Sequence, residues 1–180
     1  FVNAVKRIRQ PYNNKLVLGG QIAHKFVEMF NADYTLDGLS VENDIAKFLD
    51  QHFRGGVQRK PYDWHITTCD FKWEETDFIQ RNEALPIETS RGCIFKCKFC
   101  TYSEIGRKKG TFEKDINILR DYLVENYEKY NVTRYTLADD TFNDDDDRMN
   151  EWCDMLETLP FKVKYGGYVR LDLFERYQET

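Results

Sequence analysis

The sequence predicts an α/β protein whose strands lie parallel, and two observations lead to that prediction. Short apolar runs of strand length alternate with longer segments in which apolar residues recur at helical spacing. Several of these runs end at Gly or Asp, which are residues that typically end strands and open turns. Strands that are joined through helices become parallel neighbours, because each helix returns the chain to the same end of the sheet.

The alternation of strands and helices forms two series, separated by a stretch without a clear period. We predict a first α/β domain at residues 1–56, a linker segment at 57–82 and a second domain at 83–180. The elements predicted in the first domain are helices at 1–10, 22–30 and 41–53, a turn at 11–14, and strands at 15–18 and 34–36. Those predicted in the second domain are strands at 85–89, 134–138 and 161–165, and helices at 112–129 and 144–159.

The linker segment is rich in aromatic residues, at 61–64 and again at 71–73. Tyr and Trp gain most where one side of the ring is apolar and the other is wet. We therefore expect both groups of rings to be buried between the two domains.

Composition excludes several classes of protein. The net charge of -5 over 180 residues leaves no basic footprint, so nucleic acid is not a favoured partner. No apolar run approaches the roughly 20 residues of a membrane span, so a membrane is not expected either.

The five cysteines are odd in number and unevenly spread, which favours reduced thiols and a cytoplasmic protein. The chain opens on Phe1, inside an apolar helical pattern, and this indicates a fragment.

Two charged runs are interpreted as solvated. Arg107-Lys108-Lys109 is expected to be loop charge in contact with water. The acidic run at 144–147 lacks the alternating ligands and the glycine turn of an EF-hand loop, so we expect the solvated start of a helix.

Three of the cysteines form a candidate set of metal ligands, at Cys93, Cys97 and Cys100. Their spacing is C-x3-C-x2-C, directly after a predicted strand. Thiolates are soft ligands and each one holds one iron, so three at this spacing can hold three corners of a cubane cluster. The fourth iron would remain open for chemistry. Zinc is the alternative, but it ordinarily takes four ligands in two paired arms, and the chain has no second CxxC or His pair.

The segment from Ser90 to Cys100 resembles the radical SAM superfamily. The signature of that family is C-x3-C-x-aromatic-C, on the loop after the first strand of a partial (βα)6 TIM-like barrel, and Phe99 fills the aromatic position. The resemblance implies a four-iron four-sulfur (4Fe-4S) cluster on the three cysteines, whose open iron binds S-adenosyl-L-methionine. It further implies reductive cleavage of that cosubstrate to a 5'-deoxyadenosyl radical, an electron donor such as flavodoxin or ferredoxin, and a substrate that the sequence does not identify. Phe99 would lie against the adenine, aided by Tyr102, for which a core position is the alternative.

Further positions of the second domain extend the resemblance. Asp139 and Asp140 stand where many family members carry Gly-Gly-Glu, and they look like the Asp-Asp-x-Phe variant of the cobalamin-associated branch. The resemblance implies that one of them accepts hydrogen bonds from the ammonium group of the cosubstrate, with helix capping as the alternative. Arg170 lies in a segment similar to the third-strand segment of that branch. It would pair with the cosubstrate carboxylate through its planar fork, and a structural salt bridge is the alternative.

The first domain carries a weaker resemblance, at 16–20 and 34–42. These segments are similar to the closing part of a cobalamin-binding-type domain, so the first domain is interpreted as the C-terminal half of that Rossmann-like fold. Cobalamin itself stays open, because the histidine loop that reaches cobalt would lie upstream of Phe1. His24 and His52 are interpreted as ordinary surface or core histidines.

The leading function is therefore a radical SAM enzyme, of which this fragment alone can be inactive. Two other classes remain as alternatives. One is a non-catalytic iron-sulfur or S-adenosylmethionine binding module, and the other is an interaction domain whose cysteines bind zinc or nothing.

Overall fold

The computed structural model describes residues 15–20, 22–52 and 64–177, and the chain within these ranges forms two compact units. The first unit holds the described residues up to Trp64 together with Phe95–Ile105, and the second holds His65–Ile94 and the residues from Gly106 onward. The helix predicted at 1–10, the turn at 11–14 and the aromatic residues at 61–63 lie outside the described residues.

The first unit is built on two short parallel strands. Strand β1 (Val17–Gly19) pairs with β2 (Tyr34–Leu36). They are connected by a 3-10 turn at Ala23–Phe26 and a single α-helical turn, α1 (Val27–Phe30), and are followed by the helix α2 (Val41–His52). The strand predicted at 34–36 is confirmed, and the strand predicted at 15–18 lies at 17–19. The helix predicted at 41–53 is confirmed over 41–52, and residue 53 lies outside the described residues. The helix predicted at 22–30 is half 3-10 in form.

The sequence places residues 95–105 in the second domain, but in the structure they belong to the first unit. They contain the short helix α3 (Tyr102–Ile105). An ion pair between Lys25 and Glu104 ties this segment to the turn that follows β1. The pairing joins residues far apart in the chain, and no local pattern in the sequence predicts it.

The second unit contains a three-stranded parallel sheet in the order β3 (Ala84–Ile87), β4 (Arg134–Leu137) and β5 (Lys164–Gly166). Helix α4 (Ile116–Tyr130) lies between β3 and β4 in the chain, and α5 (Asp146–Glu157) lies between β4 and β5. The predicted mixed α/β fold with parallel strands is confirmed in this coarse form.

Capping decides where the two helices begin. The helix predicted from residue 112 starts at Ile116, because the Asp115 carboxylate accepts a hydrogen bond from the amide of Asn117. The helix predicted from residue 144 starts at Asp146, with Asp145 accepting from the amides of Asp147 and Arg148. Short acidic side chains satisfy the free amides of a first helical turn in this way.

The third strand lies later than predicted, at 164–166 instead of 161–165. Phe161 lies outside the strand, where its ring stacks on Tyr127 with 4.0 Å between the ring centres. Val163, like Phe161, packs against the edge of the hydrophobic core.

One face of the sheet is covered by the two helices. Alternate strand residues such as Leu85 and Leu137 are buried there, whereas their neighbours Pro86 and Thr136 are exposed. The buried partners from the helices include Leu119, Leu123, Trp152 and Met155. Among the described residues, no helix is both long and apolar enough to cross a membrane.

Part of the predicted linker packs onto the second unit. The indole of Trp73 donates a hydrogen bond of 2.7 Å to the hydroxyl of Tyr122, which itself donates to the carbonyl of Pro86 at 2.9 Å. Phe71 meets Trp73 edge-on and is 51% exposed, so the prediction that both rings are buried is wrong for Phe71.

We expect Tyr122→Phe to lower the free energy of unfolding by about 1–3 kcal/mol, because it leaves the Trp73 indole and the Pro86 carbonyl without a shared partner. Urea denaturation followed by circular dichroism measures the change. Tyr127→Phe is the matched control, since the Tyr127 hydroxyl has no hydrogen-bond partner within the described residues. Equal effects of the two variants would contradict the prediction.

Candidate cysteine-loop site

The cysteine loop is the segment after β3 that carries Cys93, Cys97 and Cys100. Hydrogen bonds join the two ends of this loop to each other. The amide of Arg91 donates to the carbonyl of Phe112 at 2.9 Å, and the amide of Lys114 donates to the carbonyl of Thr89 at 2.9 Å. An isolated antiparallel bridge pairs Ser90 with Glu113 between these two bonds. This bridge explains why residues 112–114 are not helical: their backbone pairs with the exit of β3.

The three cysteines of the motif are partly buried. Cys93 belongs to the second unit, whereas Cys97 and Cys100 belong to the segment that packs with the first. The amide of Cys100 donates to the carbonyl of Cys97 at 3.0 Å, and the hydroxyl of Ser103 donates to the carbonyl of Cys100 at 2.7 Å. Across the described ranges, no three His, Cys, Asp or Glu side chains gather as a metal-binding group. The three-cysteine ligand set therefore stays a prediction.

Asp139 joins the exits of β3 and β4. It is 1% exposed, and its carboxylate accepts hydrogen bonds from the amide of Thr89 at 2.7 Å and from the hydroxyls of Thr89 and Ser90. Burial raises the pKa of Asp139 to about 6, against the opposing effect of these hydrogen bonds. Both carboxylate oxygens thus accept hydrogen bonds from the loop after β3. The predicted contact with a cosubstrate ammonium stays a prediction.

The two residues after Asp139 hold the next part of the same loop. Asp140 accepts from the amide of Gly92 at 2.9 Å, and Gly92 has a φ of 85°, a conformation that favours glycine. The hydroxyl oxygen of Thr141 lies 3.3 Å from the sulfur of Cys93. Three consecutive residues after β4 therefore anchor the chain from Thr89 to Cys93. Neither aspartate caps a helix, since Asp145 does so.

A buried ion pair secures the far end of the loop. The guanidinium of Arg107 pairs with the carboxylate of Asp144, and their side chains are 0% and 4% exposed. Burial raises the pKa of Asp144, although the charge of Arg107 opposes this shift. The prediction of solvated charge is wrong for these two residues, because each charge compensates the cost of burying the other. It is also wrong for Asp145, which is 7% exposed and caps the helix. Asp146 and Asp147 are exposed, as that prediction expects.

The remaining predicted site residues lie in different surroundings. Phe99 is 92% exposed, and Tyr102 is partly buried at the start of α3. Arg170 pairs with Asp172 through two contacts of 3.0 and 2.7 Å, which is the structural salt bridge that the sequence left as the alternative.

Sequence reasoning missed Asn143, which holds the segment after β5. Its amide group accepts from the backbone amide of Arg170 at 2.8 Å and donates to the carbonyl of the same residue at 2.9 Å. Gly167, in the same segment, has no room for a side chain, since a Cβ there would meet Leu137 at 2.6 Å. Thr89, Ser90 and Thr141 were missed as well. Their signal in the sequence is a hydroxyl or amide residue in the loop that follows a strand.

We expect Asp139→Asn to gain stability relative to the wild type as pH rises. The folded pKa of about 6 exceeds the ordinary value of 3.8, so the folded state binds the proton more tightly. That contribution is fully present below pH 3.8 and is lost as pH rises through 6, whereas Asn has no proton to lose. The difference in unfolding free energy should change by about 3 kcal/mol, at about 1.4 kcal/mol for each pKa unit.

Urea unfolding at pH values from 4 to 7 measures this difference. Asp154→Asn, at an exposed position of α5, is the control for the general effect of removing one negative charge. A difference between Asp139→Asn and the wild type that stays constant over the range would contradict the prediction.

We expect Arg107→Met to cost about 3–5 kcal/mol of stability, because it leaves Asp144 buried without its partner. Arg120→Met is the matched control, since Arg120 pairs with Asp121 at 2.9 Å on the exposed face of α4. That control should change stability by less than about 0.5 kcal/mol. Thermal or urea unfolding compares the two, and a small loss for Arg107→Met would show that the buried pair is not needed.

Comparison with known proteins supplies no relative for this chain. No protein-family model, no curated protein and no solved structure matches it. The resemblance to the radical SAM superfamily therefore rests on the motif residues themselves, and a function has to be argued from the site.

Proposed function

We propose that the chain is part of a radical SAM enzyme that holds a 4Fe-4S cluster on Cys93, Cys97 and Cys100. One observation carries the proposal: the C-x3-C-x2-C triplet follows the first strand of a parallel sheet, at the carboxyl end where α/β proteins place their sites. When bound, the cluster would supply the electron that cleaves S-adenosylmethionine to methionine and a 5'-deoxyadenosyl radical.

The chemistry of the donor set fits such a cluster. All three cysteines are partly buried, and they lie in irregular backbone outside the strands, where the chain can adapt to a ligand. Thiolate is the ligand that iron-sulfur clusters use, at one thiolate for each iron. A set of three leaves one iron open, which an electron-transfer centre with four cysteines would not.

The surrounding residues would keep the first ligand in place. Asp139 and Asp140 hold the chain through Thr89, Ser90 and Gly92, immediately before Cys93. The exposed ring of Phe99 is available to lie against an adenine, as the resemblance implies. Arg170 would have to exchange Asp172 for a cosubstrate carboxylate before it could bind one.

The finer fold belongs to the same proposal. We take β3, β4 and β5 as the first strands of a partial (βα)6 barrel. Their consecutive order supports this, as does the one-sided cover of the sheet, whose other face would line the barrel interior. We take β1 and β2, with the glycines that follow them, as the closing part of a cobalamin-binding-type domain. The parallel pairing of β1 with β2 supports that assignment and leaves cobalamin binding open.

Anaerobic reconstitution with iron and sulfide tests the proposal. We expect about four irons and four sulfides for each wild-type chain, since a cubane contains four of each. Cys97→Ala should lose most of them. Cys153→Ala is the matched control, because Cys153 is an exposed thiol on α5 outside the motif, and it should keep the full content. A wild-type chain without iron, or a Cys97→Ala variant with undiminished iron, would falsify the proposal.

Formation of 5'-deoxyadenosine separates an enzyme from a binding module. The enzyme should release it from S-adenosylmethionine in the presence of a reductant. A protein that binds the cluster and the cosubstrate without releasing it would be the non-catalytic module.

A further inference from the structure

The hydroxyl of Thr141 faces two acceptors and carries one proton. Its oxygen lies 2.8 Å from the carbonyl oxygen of Asp140 and 3.3 Å from the sulfur of Cys93. Thr141 is 5% exposed, so water has little access to its hydroxyl. A hydroxyl donates one hydrogen bond and accepts up to two, and its proton rotates to suit its surroundings.

Both contacts can be satisfied while Cys93 is a free thiol. The thiol S–H can donate to the Thr141 oxygen, while the hydroxyl proton of Thr141 is donated to the carbonyl of Asp140. A cysteine that ligates iron is a thiolate and has no proton to give. The contact between the two side chains then remains a hydrogen bond only if Thr141 turns its proton towards the sulfur.

Hydrogen bonds made by the residues directly before and after Thr141 fix the position of its hydroxyl. Asp140, directly before Thr141, accepts from the amide of Gly92, next to Cys93. Phe142, directly after it, donates its amide to the carbonyl of Tyr168 at 3.0 Å. Thr141 and Cys93 are therefore fixed relative to one another within the second unit, and rotation of the hydroxyl proton needs no movement of the backbone.

We propose that Thr141 is a positioning residue that donates a hydrogen bond to the Cys93 thiolate and makes the bound cluster easier to reduce. This inference rests on the proposed function. Hydrogen bonds to the ligand sulfurs are among the factors that set cluster potentials, because a donor stabilises the more negative, reduced state. The enclosed position strengthens the effect, since an electrostatic interaction grows as the local dielectric constant falls.

A redox titration of the reconstituted full chain, followed by electron paramagnetic resonance of the reduced cluster, tests the inference. Thr141→Val keeps the shape of the side chain and removes the hydroxyl. At a fixed solution potential its ratio of reduced to oxidised cluster should fall about three- to tenfold, a shift of about 30–60 mV to more negative values for one electron. Thr141→Ser keeps the donor and should stay within about twofold of the wild type.

Thr76→Val is the control for loss of a hydroxyl elsewhere, because Thr76 is exposed in the 3-10 turn at Glu75–Asp77, outside the sheet and the cysteine loop. It should leave the ratio unchanged. A Thr141→Val protein that holds its cluster at the wild-type potential would overturn the inference and leave the proposed function standing. A wild-type chain that takes up no cluster would overturn both.

A second measurement decides the matter if Thr141→Val, and Thr141→Ala in its place, fail to take up the cluster. Resonance Raman spectra of the wild-type chain in H2O and D2O report whether an exchangeable proton is bonded to a ligand sulfur. We expect the iron–thiolate stretches to shift on deuteration in the wild type and in Thr141→Ser. Stretches that do not shift in the wild type would overturn the inference.

Discussion

The candidate site depends on one buried carboxylate. Asp139 lies at the end of β4 and binds the backbone and hydroxyl groups at the end of β3, so that two neighbouring strands finish in a single hydrogen-bonded structure. A carboxylate that is 1% exposed is costly unless donors surround it, and Thr89 and Ser90 supply those donors. The arrangement stabilises the loop only because donors and acceptor are all present. Its members therefore have to be kept together.

The hydrogen bonds of Asp139 fix the start of the cysteine loop. Its entry follows the Asp139 contacts directly. Its return passes first the buried pair of Arg107 and Asp144 and then the bridge between Ser90 and Glu113. The ends of the loop are fixed, while the residues between them have irregular backbone and only one helical turn. Fixed ends with an adaptable middle suit a loop that would wrap a ligand cluster, because the first ligand is held while the others adjust to it. The Thr141 hydroxyl extends the same anchoring to the sulfur of Cys93.

The predicted cosubstrate-binding residues also have contacts within the protein. The sequence resemblance implies that Asp139 or Asp140, together with Arg170, contacts the cosubstrate, and this stays a prediction. In the structure their side chains contact Thr89, Gly92 and Asp172. A carboxylate that is fully engaged by its own protein gains little from a ligand ammonium. The observed contacts give Asp139 a role in shaping the loop, whereas the ring of Phe99 is exposed.

Local chemistry in the sequence determined the secondary structure and the candidate ligands. The apolar periods predicted all five described strands and the long helices to within a few residues, and the cysteine spacing predicted a three-thiolate ligand set. The misplaced helix starts and the late third strand reflect caps and ring packing, such as Asp115 and the stack of Phe161 on Tyr127. Only the tertiary structure decided which side chains support the loop and which aspartate is buried. The physical reason is that Asp139 and Thr89, or Arg107 and Asp144, are distant in the chain, and their hydrogen bonds exist only once parallel strands bring their ends together.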